Sequence, residues 1–163
     1  MIAAILALVA TYTNPLTILV AMILLAGRQL GLSVLMHEAG HRSLFRTAWL
    51  NDVVGQWLCA APVFSNLPSY ARGHLEHHRK AGSHEDPDLP NYAAYPVSRE
   101  SFRRKVFRDL SGQTGFKLLS AIGRGASGVI SNQKRDSAWP FIQELIAQVA
   151  LFLVLAAFGV GWV

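Results

Sequence analysis

Residues 15–36 read PLTILVAMILLAGRQLGLSVLM, and they run directly into His37-Glu38-Ala39-Gly40-His41. The run is apolar apart from Arg28 and Gln29. A helix rises about 1.5 Å per residue and a bilayer core takes about 20 helical residues, so this stretch is long enough to span. Asn14-Pro15 before it is a turn signal. Gly27 and Gly31 are spaced so that another helix can approach closely. A cation within a span faces a polar interior or snorkels to the head groups, and the sequence leaves both open for Arg28.

Outward from this run, the apolar pattern is interrupted and then returns. Met1 to Thr13 is apolar but short, and is expected to be part of an incomplete span. Val53 to Phe64 is also short for a crossing and is expected to form an interfacial or re-entrant helix, which keeps its two flanks on one membrane face. Residues 65–139 are polar and basic and are expected on the cytoplasmic side, with 98–105 a helix in solvent or against head groups. Gly112, Gly115, Gly123, Gly125 and Gly128 make the next stretch look loop-rich, without the spacing of a phosphate loop. Residues 141–163 are again long enough to span.

Composition agrees. Of 163 residues, 52% are hydrophobic and 15% charged, a balance unusual for a soluble domain. The chain holds fifteen Lys and Arg, and all except Arg28 fall between His37 and Trp139. Cations flanking apolar spans mark the cytoplasmic face, and the net charge of +5 suits anionic lipid head groups. No nucleic-acid-binding motif accompanies the basic residues, so a nucleic-acid partner is not expected. The single cysteine, Cys59, excludes an internal disulfide framework. The amino terminus lacks the basic region of a secretory signal peptide. The expected fold is therefore an all-α integral membrane protein, read as one domain over 1–163 with spans at about 15–36 and 141–163.

All six histidines lie between positions 37 and 84, and five form two tight groups. His37 and His41 are spaced i, i+4; His74, His77 and His78 are spaced i, i+3, i+4. On a helix each spacing stacks imidazoles on one face, one turn apart. Neutral imidazole suits iron, zinc and copper. A single HxxxH on a helix arises by chance about as often as it binds metal, but two such groups beside apolar spans favour a metal site. Both groups fall on the same side of the membrane if 53–64 does not cross. His84 reads as a surface residue, and Glu38, Glu76, Asp86 and Asp88 are candidates to orient the imidazoles. For Asp86 and Asp88 a solvated loop position is an equal alternative.

Leu-Met-His-Glu-Ala-Gly-His-Arg at 35–42, Asn51-Asp52 with Gly55, His-Leu-Glu-His-His-Arg at 74–79 and Asp-Pro-Asp-Leu at 86–89 resemble the membrane fatty acid desaturase family. The resemblance implies a cytoplasm-facing centre of two non-haem iron ions with His37, His41, His74, His77 and His78 as ligands. It also implies molecular oxygen as co-substrate, a fatty acyl substrate and a separate electron donor such as a ferredoxin or cytochrome. The family pattern calls for a third histidine box, and no histidine follows His84. The chain is accordingly expected to be a fragment that binds iron poorly and does not turn over alone.

Three other readings stay open. His37-Glu38-Ala39-Gly40-His41 also satisfies HExxH, the signature of a zinc peptidase in which Glu38 activates water. A lipid hydroxylase or ketolase uses the same kind of histidine-rich site, and a non-catalytic membrane or metal-binding protein is the remaining possibility.

Overall fold

The computed structural model describes residues 1–130 and 138–159, and every regular element among them is helical. The chain divides into two bodies, Met1–Ala71 with Ile142–Val163, and Arg72–Phe141.

In the first body, helix α1 (Ile2–Thr11) folds back along α2 (Pro15–Gly40). The start of α2 is dictated locally. The Asn14 side chain accepts hydrogen bonds from the backbone N–H of Leu16 and Thr17, Thr17 Oγ1 accepts from the Asn14 N–H, and Pro15 occupies the first turn, where no N–H is needed. Ile5, Val9 and Ala21 are buried between the two helices, with Leu25 packed against them. Much of the remaining surface of α2 is exposed and apolar, Leu16 and Leu30 being more than two-thirds exposed. Pro15–Gly40 and Trp139–Ala157 are the two described helices long and apolar enough to cross a membrane.

The short apolar stretch differs in detail from the expectation. Its helix starts earlier, as α3 (Ala48–Val54), passes into a π-helical turn at Gly55–Ala60 and closes as a 3-10 turn at Ala61–Val63. Gln56, within the π turn, accepts from the Leu67 N–H at 2.8 Å and so ties the turn to the next helix, α4 (Leu67–Lys80). Met36, Ala39, Cys59, Ala60 and Leu67 form the core of this junction, flanked by Leu44, Val54 and Tyr70.

Gly55 is where α2, the π turn and α4 approach most closely. A Cβ there would lie 2.5 Å from Ala39 Cβ and 2.8 Å from Leu67 Cδ2. Gly55→Ala is therefore expected to destabilise the chain by about 1–3 kcal/mol through overpacking. The measurement is thermal unfolding in detergent, and an unchanged midpoint would contradict the packing described.

Helix α8 (Ala138–Ala157) closes this body. It begins before the expected 141 and ends at Ala157; the last four residues of the expected span lie outside the described residues. Gln148 Nε2 on α8 donates to the carbonyls of Ala61 and Pro62, at 3.4 and 3.1 Å.

The second body contains α4 beyond Ala71, then α5 (Leu89–Tyr92), α6 (Arg99–Leu110) and α7 (Gln113–Ile130). Ser98 caps α6 by accepting from the Ser101 N–H. The glycine-rich stretch expected as loop is the helix α7. Each glycine costs about 1 kcal/mol in a helix, but the apolar residues between these glycines recur at helical spacing and outweigh the cost.

Candidate metal centre

The first histidine group sits on the last turns of α2. The rings of His37 and His41 are 4.7 Å apart, edge to face, so both imidazoles share one side of the helix. The helix stops immediately after them. The Arg42 N–H bonds to the Ala39 carbonyl at 2.9 Å and the Ser43 N–H to that of Glu38 at 3.0 Å, with Arg42 left-handed at φ 57. This is a Schellman C-cap with arginine where glycine is usual. The Arg42 guanidinium lies 3.4 Å from the Asp52 carboxylate.

That termination also sets Glu38. Ser43 Oγ donates to Glu38 Oε2 at 2.7 Å, and Glu38 Oε1 lies 3.1 Å from His37 Nδ1. A histidine held through Nδ1 by a carboxylate presents Nε2 as its ligand atom. The loop that follows is held by Asn51, which is fully buried. Its Oδ1 accepts from the Phe45 N–H at 3.0 Å, and its Nδ2 donates to the carbonyls of Phe45 and Thr47 at 2.7 and 3.0 Å.

The second group projects from α4. His74 and His78 stack edge to face with ring centroids 4.5 Å apart, and His77 lies 6.2 and 5.7 Å from them. Nε2 of His78 and Nε2 of His74 are 3.0 Å apart. Two nitrogens directed at each other across one helical turn suit a shared cation.

His77 is held differently. Its Nδ1 lies 2.8 Å from Oδ1 of Asp86, a buried residue 4% exposed in the loop after α4. The same carboxylate accepts from the Tyr92 hydroxyl, from the Asp88 N–H at 2.8 Å and from the Gly82 N–H at 3.4 Å. Burial opposes ionisation of Asp86, but these bonds, Tyr92 and His77 first, outweigh it and hold the carboxyl well below the usual range. The bond to Asp86 also raises His77 above the ordinary imidazole value, with desolvation opposing.

Of the four candidate acids, Glu38 and Asp86 thus face histidine. Glu76 does not: it pairs with Arg79 and Lys80, the natural partners one turn further along its helix. Asp88 stands 3.8 Å from His77 Nδ1, beyond hydrogen-bond reach, and accepts from Asn91 Nδ2. His84 is exposed, as expected. Tyr92 and Ser43 have roles that spacing did not signal, because each acts on a carboxylate rather than on an imidazole.

The donor set fits iron: imidazoles on helices, two of them oriented by carboxylates, and a lone cysteine packed in the apolar junction core. Together the elements define a helical chain with two metal-competent histidine groups and two helices apolar enough for a membrane. The sequence pattern of the fatty acid desaturase family matches residues 13–163, and the chain belongs to that family. It is 35% identical over 79 residues to dihydrorhizobitoxine desaturase of Bradyrhizobium elkanii, covering 47% of this chain and 22% of that protein. It is 41% identical over 49 residues to sn-1 oleoyl-lipid 12-desaturase of Arthrospira platensis, covering 30% of this chain and 14% of that protein. The matched segments are therefore less than a quarter of either relative's length. No solved structure matches the chain.

Proposed function

We propose that this chain carries two of the histidine boxes of an integral-membrane, oxygen-dependent fatty acyl desaturase. In this reading His37, His41, His74, His77 and His78 are ligands to a pair of non-haem iron ions facing the cytoplasm. The observation that carries it is the all-imidazole donor set with Glu38 on His37 and Asp86 on His77.

The start of α4 is anchored against the end of α2. A Cβ at Gly40 would meet Ala71 Cβ at 3.5 Å, Leu67 is buried with Met36 and Ala39, and the His37 ring is 6.5 Å from that of Tyr70. From Ala71, α4 continues unbroken through His74, His77 and His78.

A methylene C–H has no polar handle for an acid or base, and bound iron supplies the oxygen activation that removing its hydrogens requires. The chain's own residues do the rest. Carboxylates hold His37 and His77 through Nδ1, and the apolar faces of α2 and α8 suit an acyl chain in lipid. Electrons come from a separate ferredoxin or cytochrome. Both relatives are desaturases by name, which favours desaturation over hydroxylation or ketolation. The zinc-peptidase reading is disfavoured because Glu38, its water-activating base, is engaged by Ser43 and His37 Nδ1.

The test is metal and product analysis of the protein expressed from its complete gene in iron-replete cells. Two irons per chain and a new double bond in cellular acyl lipids are expected. One zinc per chain with peptide cleavage would overturn the proposal.

A further inference from the structure

Helices α6 and α7 carry an exposed apolar surface that no described residue covers. Leu110 is 84% exposed, Phe116 74%, Phe107 69%, and Leu118 and Leu119 63% each. Surface helices of a soluble body do not ordinarily show this many large apolar side chains in succession. The two helices meet at Gly112, whose φ of 78 permits the tight turn. Asp109 fixes the joint, accepting from Lys105 on α6 and from Thr114 on α7.

The residue order of α7 is strongly two-sided. At helical spacing Leu118 and Leu119 fall in one arc, and Gln113, Lys117 and Ser120 fall opposite. Helix α7 is not among the helices apolar enough to cross a membrane. Its length and pattern are those of a helix lying in the interface plane.

Charge identifies the surface it would lie on. Helix α6 holds Arg99, Arg103, Arg104, Lys105 and Arg108 against Glu100 and Asp109, five cations less two anions, an excess of three. Glu100 pairs with Arg104 and Asp109 with Lys105 one turn apart, Arg108 Nε also lies 3.8 Å from Asp109, and the excess of cations over anions is left to the helix as a whole. Basic residues next to an apolar face match anionic lipid head groups.

We infer that the α6–α7 hairpin is a membrane-surface anchor: the apolar face of α7 enters the head-group boundary of an anionic leaflet and the cations of α6 bind its head groups. This is independent of the metal reading, because it uses no histidine and no ligand carboxylate.

The test uses the full chain with Cys59, its sole cysteine, replaced by alanine and one new cysteine at Leu118 or Lys117, each labelled with a polarity-sensitive fluorophore. If Cys59→Ala does not fold, the buried wild-type thiol is retained, since it is 3% exposed and sheltered from the label. The protein is reconstituted into phosphatidylcholine vesicles with or without phosphatidylglycerol. Brominated acyl chains probe the bilayer and iodide probes water. The Leu118 label is expected to be quenched by bromine at a depth of about 5–10 Å and shielded several-fold from iodide, and the Lys117 label to show the reverse. Phosphatidylglycerol should deepen the Leu118 label, and Arg103→Glu with Arg108→Glu should abolish that increment. A Leu118 label open to iodide in both lipids would overturn the inference. Shielding from both quenchers would also overturn it, showing the face covered by protein, either another segment or a second copy. So would a depth indifferent to phosphatidylglycerol.

Discussion

Asp86→Ala is expected to weaken metal binding by about 10–100-fold while leaving the helices in place, the usual cost of losing a carboxylate that orients a ligating histidine. The substitution removes the acceptor for His77 Nδ1, the Tyr92 hydroxyl and the Asp88 N–H together. The His77 ring is then free to rotate away from the orientation that presents Nε2. Tyr92→Phe removes one of those bonds and keeps the carboxylate, so its effect should be in the same direction and smaller. Iron titration of the purified protein, followed alongside far-UV circular dichroism, gives the answer. Wild-type affinity in Asp86→Ala would show that the clamp does not serve the metal.

The second large effect is on stability. Asn51→Ala should destabilise the chain by about 3 kcal/mol, three hydrogen bonds at about 1 kcal/mol each. Asn51 is fully buried, so water cannot readily replace its amide at the Phe45 N–H and at the Phe45 and Thr47 carbonyls. The loop it holds leaves the helix directly after His41, and loosening it should release the last turn of α2. The expected readout is a lowered unfolding midpoint in detergent, with faster hydrogen exchange confined at first to residues near 41–51. An unchanged midpoint would mean that the loop is held by other contacts. Asn51→Asp tests the chemistry separately: it keeps the acceptor for the Phe45 N–H but loses both donated bonds, and should still be destabilising.

Both variants expose a limit of reading along the chain. Asn51 stood out in sequence only as part of a motif, and its burial comes from a loop that doubles back six residues. Asp86 was evenly balanced between solvated loop and histidine partner. The balance tips because Gly82 and Tyr92 enclose it, and neither residue carries a periodic signal. Glu76, in contrast, was a reasonable candidate by proximity to three histidines, but its side chain leaves the face they share and meets cations at i+3 and i+4. The glycines of 112–128 misled in the opposite direction: local propensity reads as loop, whereas the two-sided apolar order of the same residues is a helix.

Periodicity, length and hydropathy were enough to establish the helical class, the two long apolar helices and the grouping of five histidines. These properties repeat along one dimension: 3.6 residues per turn puts i, i+3 and i+4 on one face wherever a helix forms. The family resemblance rested on the same local strings. The tertiary structure alone decided which carboxylates meet imidazole, that the turn at 55–60 is π-helical, and that Gly55 must lack a Cβ. The Asp86–His77 contact and the close approach of Ala39 and Leu67 to Gly55 depend on atoms brought together from separate segments at van der Waals or hydrogen-bond distance, and a linear pattern holds no record of that separation.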